Sequence, residues 1–229
     1  MMKRAISVSI ISIICICVML SVFSEDVESN MYFGYYPSDL EPVSFGVNGW
    51  DTTWMIWSNP LVRSNITARD LIENANNEFG GTQILVITNL NSTTMLYNSY
   101  VNGDPESKNF KLEDGYGYWL WTYNSGWIPT VGWATNNSLD VSLKAGWNII
   151  GINTWYDRTN WTDRISASQI LAKNVSLSVV SIMYYDEGMG DHTPIWKSYV
   201  RGDPMSKDFM CWIGSGIYVW ATENCTIHW

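Results

Sequence analysis

One stretch of this chain occurs twice. Ser99-Tyr100-Val101-Asn102-Gly103-Asp104-Pro105-Glu106-Ser107-Lys108-Asn109-Phe110 returns as Ser198-Tyr199-Val200-Arg201-Gly202-Asp203-Pro204-Met205-Ser206-Lys207-Asp208-Phe209, at a constant offset of 99 residues. The same offset carries Ile66-Thr67-Ala68 onto Ile165-Ser166-Ala167, and Gly115-Tyr116-Gly117 onto Gly214-Ser215-Gly216. A repeat of that length constrains the fold strongly. Each copy must form one supersecondary unit, and the two units must bury what neither can bury alone.

The reading divides the chain into an N-terminal signal peptide at 1–24, a lead-in at 25–40, a first module at 41–133 and a second at 134–229. Each copy opens on two short apolar runs around Gly49-Trp50 or Gly146-Trp147, which read as strands. Thr67-Ala68-Arg69-Asp70 and Ser166-Ala167-Ser168-Gln169 then carry the spacing of a capping box, so a short helix is expected after each. Two β-branched and aromatic strands follow, then a Gly-Asp-Pro turn and a final hairpin entered through Gly-x-Gly. The expected fold class is α+β, mainly antiparallel β, in two tandem homologous modules, each with one short helix packed on a sheet.

Met1-Met2-Lys3-Arg4 precedes an apolar run from Ala5 to Phe23, the pattern of a secretory signal; retained, it would be long enough for an anchor. Its removal takes away Lys3 and Arg4, leaving 11 basic against 22 acidic residues, a net charge of −11. That balance excludes nucleic acid and anionic membrane surfaces as partners and suits an extracellular or cell-surface protein. Export permits a disulfide between Cys211 and Cys225. It also permits glycosylation at the sequons of Asn65, Asn91, Asn136, Asn160, Asn174 and Asn224.

The chain holds 14 Trp and 13 Tyr. Period-two alternation puts Trp119 and Trp121 on one strand face, with Tyr118 and Leu120 on the other; Tyr218 and Trp220 match them in the second copy. These four are the candidate ligand-binding residues, an aromatic platform on which a pyranose ring would stack; the competing reading makes them core.

Catalytic and metal chemistry find little support. His192 and His228 lack partners at zinc-ligand spacing, so no metal site and no cofactor are expected, although the acidic loop from Asp186 to Asp191 has oxygen ligands suited to a weak calcium ion. No Gly-x-Ser-x-Gly elbow and no phosphate loop is present. Arg201-Gly202-Asp203 spells an adhesive tripeptide, but Asn102-Gly103-Asp104 stands at the same place in the first copy, so turn chemistry explains it better.

Lys144-Ala145-Gly146-Trp147-Asn148-Ile149-Ile150-Gly151, Trp196-Lys197-Ser198-Tyr199-Val200, Gly202-Asp203-Pro204 and Gly214-Ser215-Gly216-Ile217-Tyr218-Val219 together resemble a tandem module of exported archaeal and some bacterial surface proteins. The first copy departs from that pattern with Asp51-Thr52-Thr53-Trp54. The resemblance implies a location and no catalytic residues. The functional expectation is a secreted or cell-surface, non-catalytic envelope component, structural or adhesive, with glycans or other envelope proteins as partners. Two alternatives are a carbohydrate-binding protein and, more remotely, an extracellular hydrolase.

Overall fold

The computed structural model describes residues 31–33, 43–49, 53–59, 66–77, 83–123, 126–132, 139–152, 164–185 and 194–229. The signal segment, Asn65, Asn136, Asn160 and the Asp186–Asp191 loop lie outside the described residues. After β1 (Met31–Phe33), the first half runs β2 (Val43–Gly49), β3 (Thr53–Ser58), helix α1 (Ala68–Asn77), β4 (Ile84–Asn91), β5 (Leu96–Val101), β6 (Gly117–Thr122) and β7 (Gly126–Gly132). The second runs β8 (Asp140–Leu143), β9 (Gly146–Gly151), β10 (Arg164–Ser166), helix α2 (Ala167–Ala172), β11 (Leu177–Tyr185), β12 (Pro194–Val200), β13 (Met210–Trp212), β14 (Gly216–Ala221) and β15 (Cys225–His228). Every strand pair among these is antiparallel, so the fold is mainly antiparallel β with two short helices.

Both halves build a four-stranded sheet in the same order, β3-β6-β4-β5 and β9-β14-β11-β12. Even the irregularities correspond. The register slips between Ile84 and Val86 opposite β6, and between Leu177 and Val179 opposite β14, as one extra residue in a strand requires. Smaller ladders, β1-β2-β7 and β8-β15, complete the two halves, and β10-β13 adds a short pair to the second.

The helix starts follow from their caps. Ser166 Oγ accepts from the Gln169 N–H at 3.2 Å, and Gln169 Oε1 accepts from the Ser166 N–H at 2.9 Å. Asp70 Oδ2 accepts from the Thr67 N–H at 2.8 Å, the same reciprocal logic with a carboxylate. A residue from the far side of each turn joins in: Asn109 Oδ1 takes the Arg69 N–H, and Asp208 Oδ1 the Ser168 N–H. Helix α1 buries Ala68, Leu71, Ile72 and Ala75 in a core with Ile84, Ile87, Tyr118, Leu120 and Ile128. Helix α2 buries Ala167, Ile170 and Leu171 in a second core with Val180, Ile217, Val219 and Ile227. Tyr118 and Leu120 thus face the helix, which turns Trp119 and Trp121 to the opposite side of the sheet.

The two sheets meet on that opposite side. Ser58 N–H donates to Gly214 O at 2.9 Å and Gly151 N–H donates to Gly115 O at 2.8 Å, a reciprocal pair across the join. Bridges Trp57–Ser215 and Tyr116–Ile150 repeat the relation. The Gly-x-Gly motif has its explanation here. Gly115 and Gly214 both take φ of +81°, a conformation L side chains rarely adopt. Gly117 and Gly216 sit against each other: a Cβ on Gly117 would lie 3.2 Å from the Gly216 Cα and 2.6 Å from Ile149 Cγ2. The first glycine makes the turn, and the second lets two backbones cross.

Candidate functional site

The aromatic side chains of the two sheets converge into one seam. In register, Trp54 pairs with Trp121 across β3 and β6, and Trp147 with Trp220 across β9 and β14. Trp119 and Tyr218, which correspond at the 99-residue offset, meet at the join: Trp119 Nε1–H donates to Tyr218 Oη at 2.8 Å. Tyr218 in turn shares a 2.9 Å hydrogen bond with the Tyr97 hydroxyl. Trp196 lies against both Trp119 and Tyr218, with ring centroids 6.2 and 5.8 Å away. From Trp121 through Trp54, Trp119, Tyr218 and Trp147 to Trp220, successive rings lie 5.0 to 6.3 Å apart.

Their geometry decides what this seam can do. The Trp54–Trp121 and Trp147–Trp220 pairs meet at 74° and 79°, edge to face, as aromatic quadrupoles prefer. Neighbouring rings along the seam are therefore not coplanar, and no flat multi-ring platform forms. Of the four residues read from sequence as a platform, Trp119, Trp121 and Tyr218 are half-buried between the sheets, while Trp220 is 37% exposed. Burial, with the Tyr97 hydroxyl next, pushes the Tyr218 phenol above its usual range, so it remains protonated and able to donate. The outer members are Trp54 at 37%, Trp196 at 47% and Tyr97 at 56% exposure. Trp54 and Trp147 escaped the sequence reading because only strand register sets them opposite Trp121 and Trp220, and Tyr97 because it meets Tyr218 only across the two sheets.

The remaining candidates are committed to structure. Arg201 donates from Nε to Leu177 O at 2.8 Å and from Nη2 to Leu171 O and Asn174 O, at 2.5 and 2.8 Å, gathering carbonyls at the C-terminal end of α2. Asp203 accepts from the Val200 N–H at 3.1 Å and from Lys207 Nζ at 3.2 Å. Asp104 does the same with Val101 and Lys108, at 3.0 Å each. Those backbone bonds first, and the lysines second, hold both carboxyls below the usual carboxylate value. Val101 and Val200 end β5 and β12, which are outer strands of their sheets. The Gly-Asp-Pro turn thus occupies an amide that the sheet edge would otherwise present to another chain.

Cys211 and Cys225 are free thiols in this structure, where a bridge was expected. The offset gives the reason for Cys211: its counterpart is Leu112, 1% exposed, and the thiol fills the same slot in the apolar core. Burial pushes the Cys211 thiol well above its usual range. Cys225, only partly buried, is raised by burial and by Glu223. Asn91 and Asn224 are exposed at the β4–β5 and β14–β15 turns, whereas Asn174 is half-buried. His228 Nδ1 lies 2.6 Å from Asp140 Oδ1. Among the described residues no group of three His, Cys, Asp or Glu is placed to hold a metal ion. None of their helices is long and apolar enough to cross a membrane.

Comparison with protein-family models, with curated proteins and with solved structures returned no match to the chain.

Proposed function

We propose that the chain is an exported, non-catalytic protein of two tandem homologous α+β modules, acting at the cell surface as a structural or adhesive envelope component. The observation that carries this reading is the reciprocal join. Ser58–Gly214 and Gly151–Gly115 tie the halves, Gly117 crosses Gly216, and an aromatic seam fills the space around them. The chain's most concentrated chemistry is thereby spent on holding two modules together as one rigid element. The polar motifs that recur at the 99-residue offset serve caps and turns: Thr67 with Asp70, Ser166 with Gln169, Asp104 with Lys108, Asp203 with Lys207. The acidic balance and the N-terminal apolar run support the location.

Two assays test it. The full chain, tagged at its C-terminus, is expressed in a secretory host and sought in the medium and on intact cells by protease shaving. Purified residues 25–229 are then assayed for retention on envelope preparations and for turnover of glycoside, ester and peptide substrates. Recovery outside the cell, retention on envelopes and no turnover support the reading; confinement to the cytoplasm, or hydrolysis by the purified protein, removes it.

A second reading, carbohydrate binding, is favoured by Trp54, Trp196 and Trp220, which expose 37 to 47% of their surface along one seam in a chain read as exported. With edge-to-face neighbours, a sugar would meet one indole face at a time. Saturable quenching of tryptophan fluorescence by an arrayed glycan, lost in Trp121→Ala or Trp220→Ala, would establish it. An emission spectrum unchanged by every glycan would leave the seam as packing.

A further inference from the structure

We infer that, of the three sequons within the described residues, Asn91 and Asn224 are the folded protein's glycan acceptors and Asn174 is not. This inference rests on the exported reading and names a modification that reading permits. The distinction lies in what each side-chain amide already does.

N-glycosylation consumes the Nδ2 nitrogen. It attacks the anomeric carbon of a sugar carried on a lipid-linked diphosphate; the N–C bond forms, the bond from that carbon to the phosphate oxygen breaks, the diphosphate leaves with the bonding pair, and one Nδ2 proton passes to a base on the transferase. A folded, secreted chain can carry a glycan only on an asparagine whose Nδ2 reaches solvent.

At Asn91 the side chain is exposed and only its oxygen is engaged: Oδ1 accepts from the Thr93 N–H at 3.0 Å and the Thr94 N–H at 3.1 Å. That geometry turns the other half of the amide away from the β4–β5 turn, and Thr93 is itself exposed. Asn224 is exposed at the β14–β15 turn, where its Oδ1 accepts from the Ala145 N–H at 2.9 Å. A glycosylated amide keeps its oxygen, so both bonds survive the reaction.

Asn174 is built differently. Its Nδ2 donates to Thr226 O at 2.9 Å, tying the turn after α2 to β15, while Oδ1 accepts from the Ser176 N–H at 2.9 Å. Ser176, the hydroxyl residue of this sequon, is 6% exposed, and its Oγ donates to Glu223 Oε1 at 2.8 Å. Even the Asn174 carbonyl is taken, by Arg201. A glycan there requires the nitrogen to leave β15 and the serine to leave the interior.

The test is site-resolved. The full chain is expressed in a eukaryotic secretory host, recovered from the medium, digested, and treated with an amidase that converts each glycosylated Asn to Asp; peptide masses then give the occupancy of each sequon. The expected result is majority occupancy at Asn91 and Asn224 and below a tenth of that at Asn174. Asn91→Gln and Asn224→Gln should each remove one glycan mass from the intact protein, and Asn174→Gln none. Occupancy of Asn174 comparable with the other two overturns the inference and leaves the exported reading standing. So does bare amide at Asn91 and Asn224 while another sequon carries sugar. A secreted chain with no glycan at any sequon overturns the glycoprotein reading itself.

Discussion

Replacing Gly216 by alanine tests the join directly. The backbone at Gly216 does not occupy the left-handed region, so the new Cβ brings steric cost alone. That Cβ would sit 2.3 Å from Ile56 Cγ2, 3.0 Å from the Trp57 carbonyl oxygen and 3.3 Å from the Ile56 carbonyl carbon. Two of these three neighbours are backbone of β3, and no rotamer change relieves them. Overpacking of this kind costs about 1–3 kcal/mol, and contact with backbone argues for ~2 kcal/mol or more. With a urea slope of about 2 kcal/mol per M, the midpoint should fall by roughly 1 M with the slope unchanged. Gly202→Ala is the control: it takes φ of +95° in open space, so its cost is backbone strain alone, ~1 kcal/mol. A cycle then isolates the contact. Ile56→Ala removes the closest clashing atom, and Gly216→Ala should cost about 1 kcal/mol less in that background. The assay is urea unfolding of residues 25–229 followed by tryptophan emission. A Gly216→Ala midpoint within about 0.2 M of the parent, or a Gly202→Ala variant less stable than Gly216→Ala, would refute the crossing.

Three further outcomes are expected. Tyr218→Phe strips the Trp119 indole of its acceptor and Tyr97 of its partner; with about 1 kcal/mol per hydrogen bond, urea unfolding should show a loss of ~1–2 kcal/mol, against under ~1 kcal/mol for the more exposed Tyr97→Phe. Asp104 and Asp203 have carboxyls held below their unfolded value of about 3.9, so their stabilisation is fully present above that pH and is lost as pH falls through the lower folded value. Melting temperature followed from pH 7 to pH 2 should decline less steeply below about pH 4 in Asp104→Asn/Asp203→Asn than in the parent. With both Cys211 and Cys225 free, a thiol reagent should find two groups in urea-unfolded residues 25–229 and none at Cys211 when they are folded; no thiol in that protein, unreduced and denatured, would mean the bridge had formed.

The local rules were legible in the sequence because they need only neighbours in the chain. Thr67 and Ser166 announce helices through residues three positions on, and alternation along Tyr118–Trp121 separates the helix side from the other side. The Gly-x-Gly motif was visible as a repeat, but its second glycine serves a contact with the other half of the chain, which no local pattern encodes. Trp54 and Trp147 were missed because strand register within each sheet, which no local pattern encodes, sets them opposite Trp121 and Trp220. Cys211 and Cys225 misled because a pair of cysteines carries no sign of direction, whereas alignment of Cys211 with Leu112 already marks a core position. Turn chemistry was the better reading of Arg201-Gly202-Asp203, but no local pattern showed that the Arg201 guanidinium reaches the carbonyls of Leu171 in α2, Asn174 in the turn after it and Leu177 at the start of β11.

The unlike pair at the centre of the seam decides which halves belong together. An indole has a donor and no acceptor, whereas a phenol has both. Trp119 facing a second Trp119 would set two N–H groups against each other in a half-buried place; facing Tyr218 it finds an oxygen, and the phenol shares a second hydrogen bond with the Tyr97 hydroxyl. Two copies of the first half would thus be poor mates, while one of each is satisfied. By letting the middle residue differ between its two sheets, the chain makes the first half prefer the second to a copy of itself, and that keeps the join within one chain.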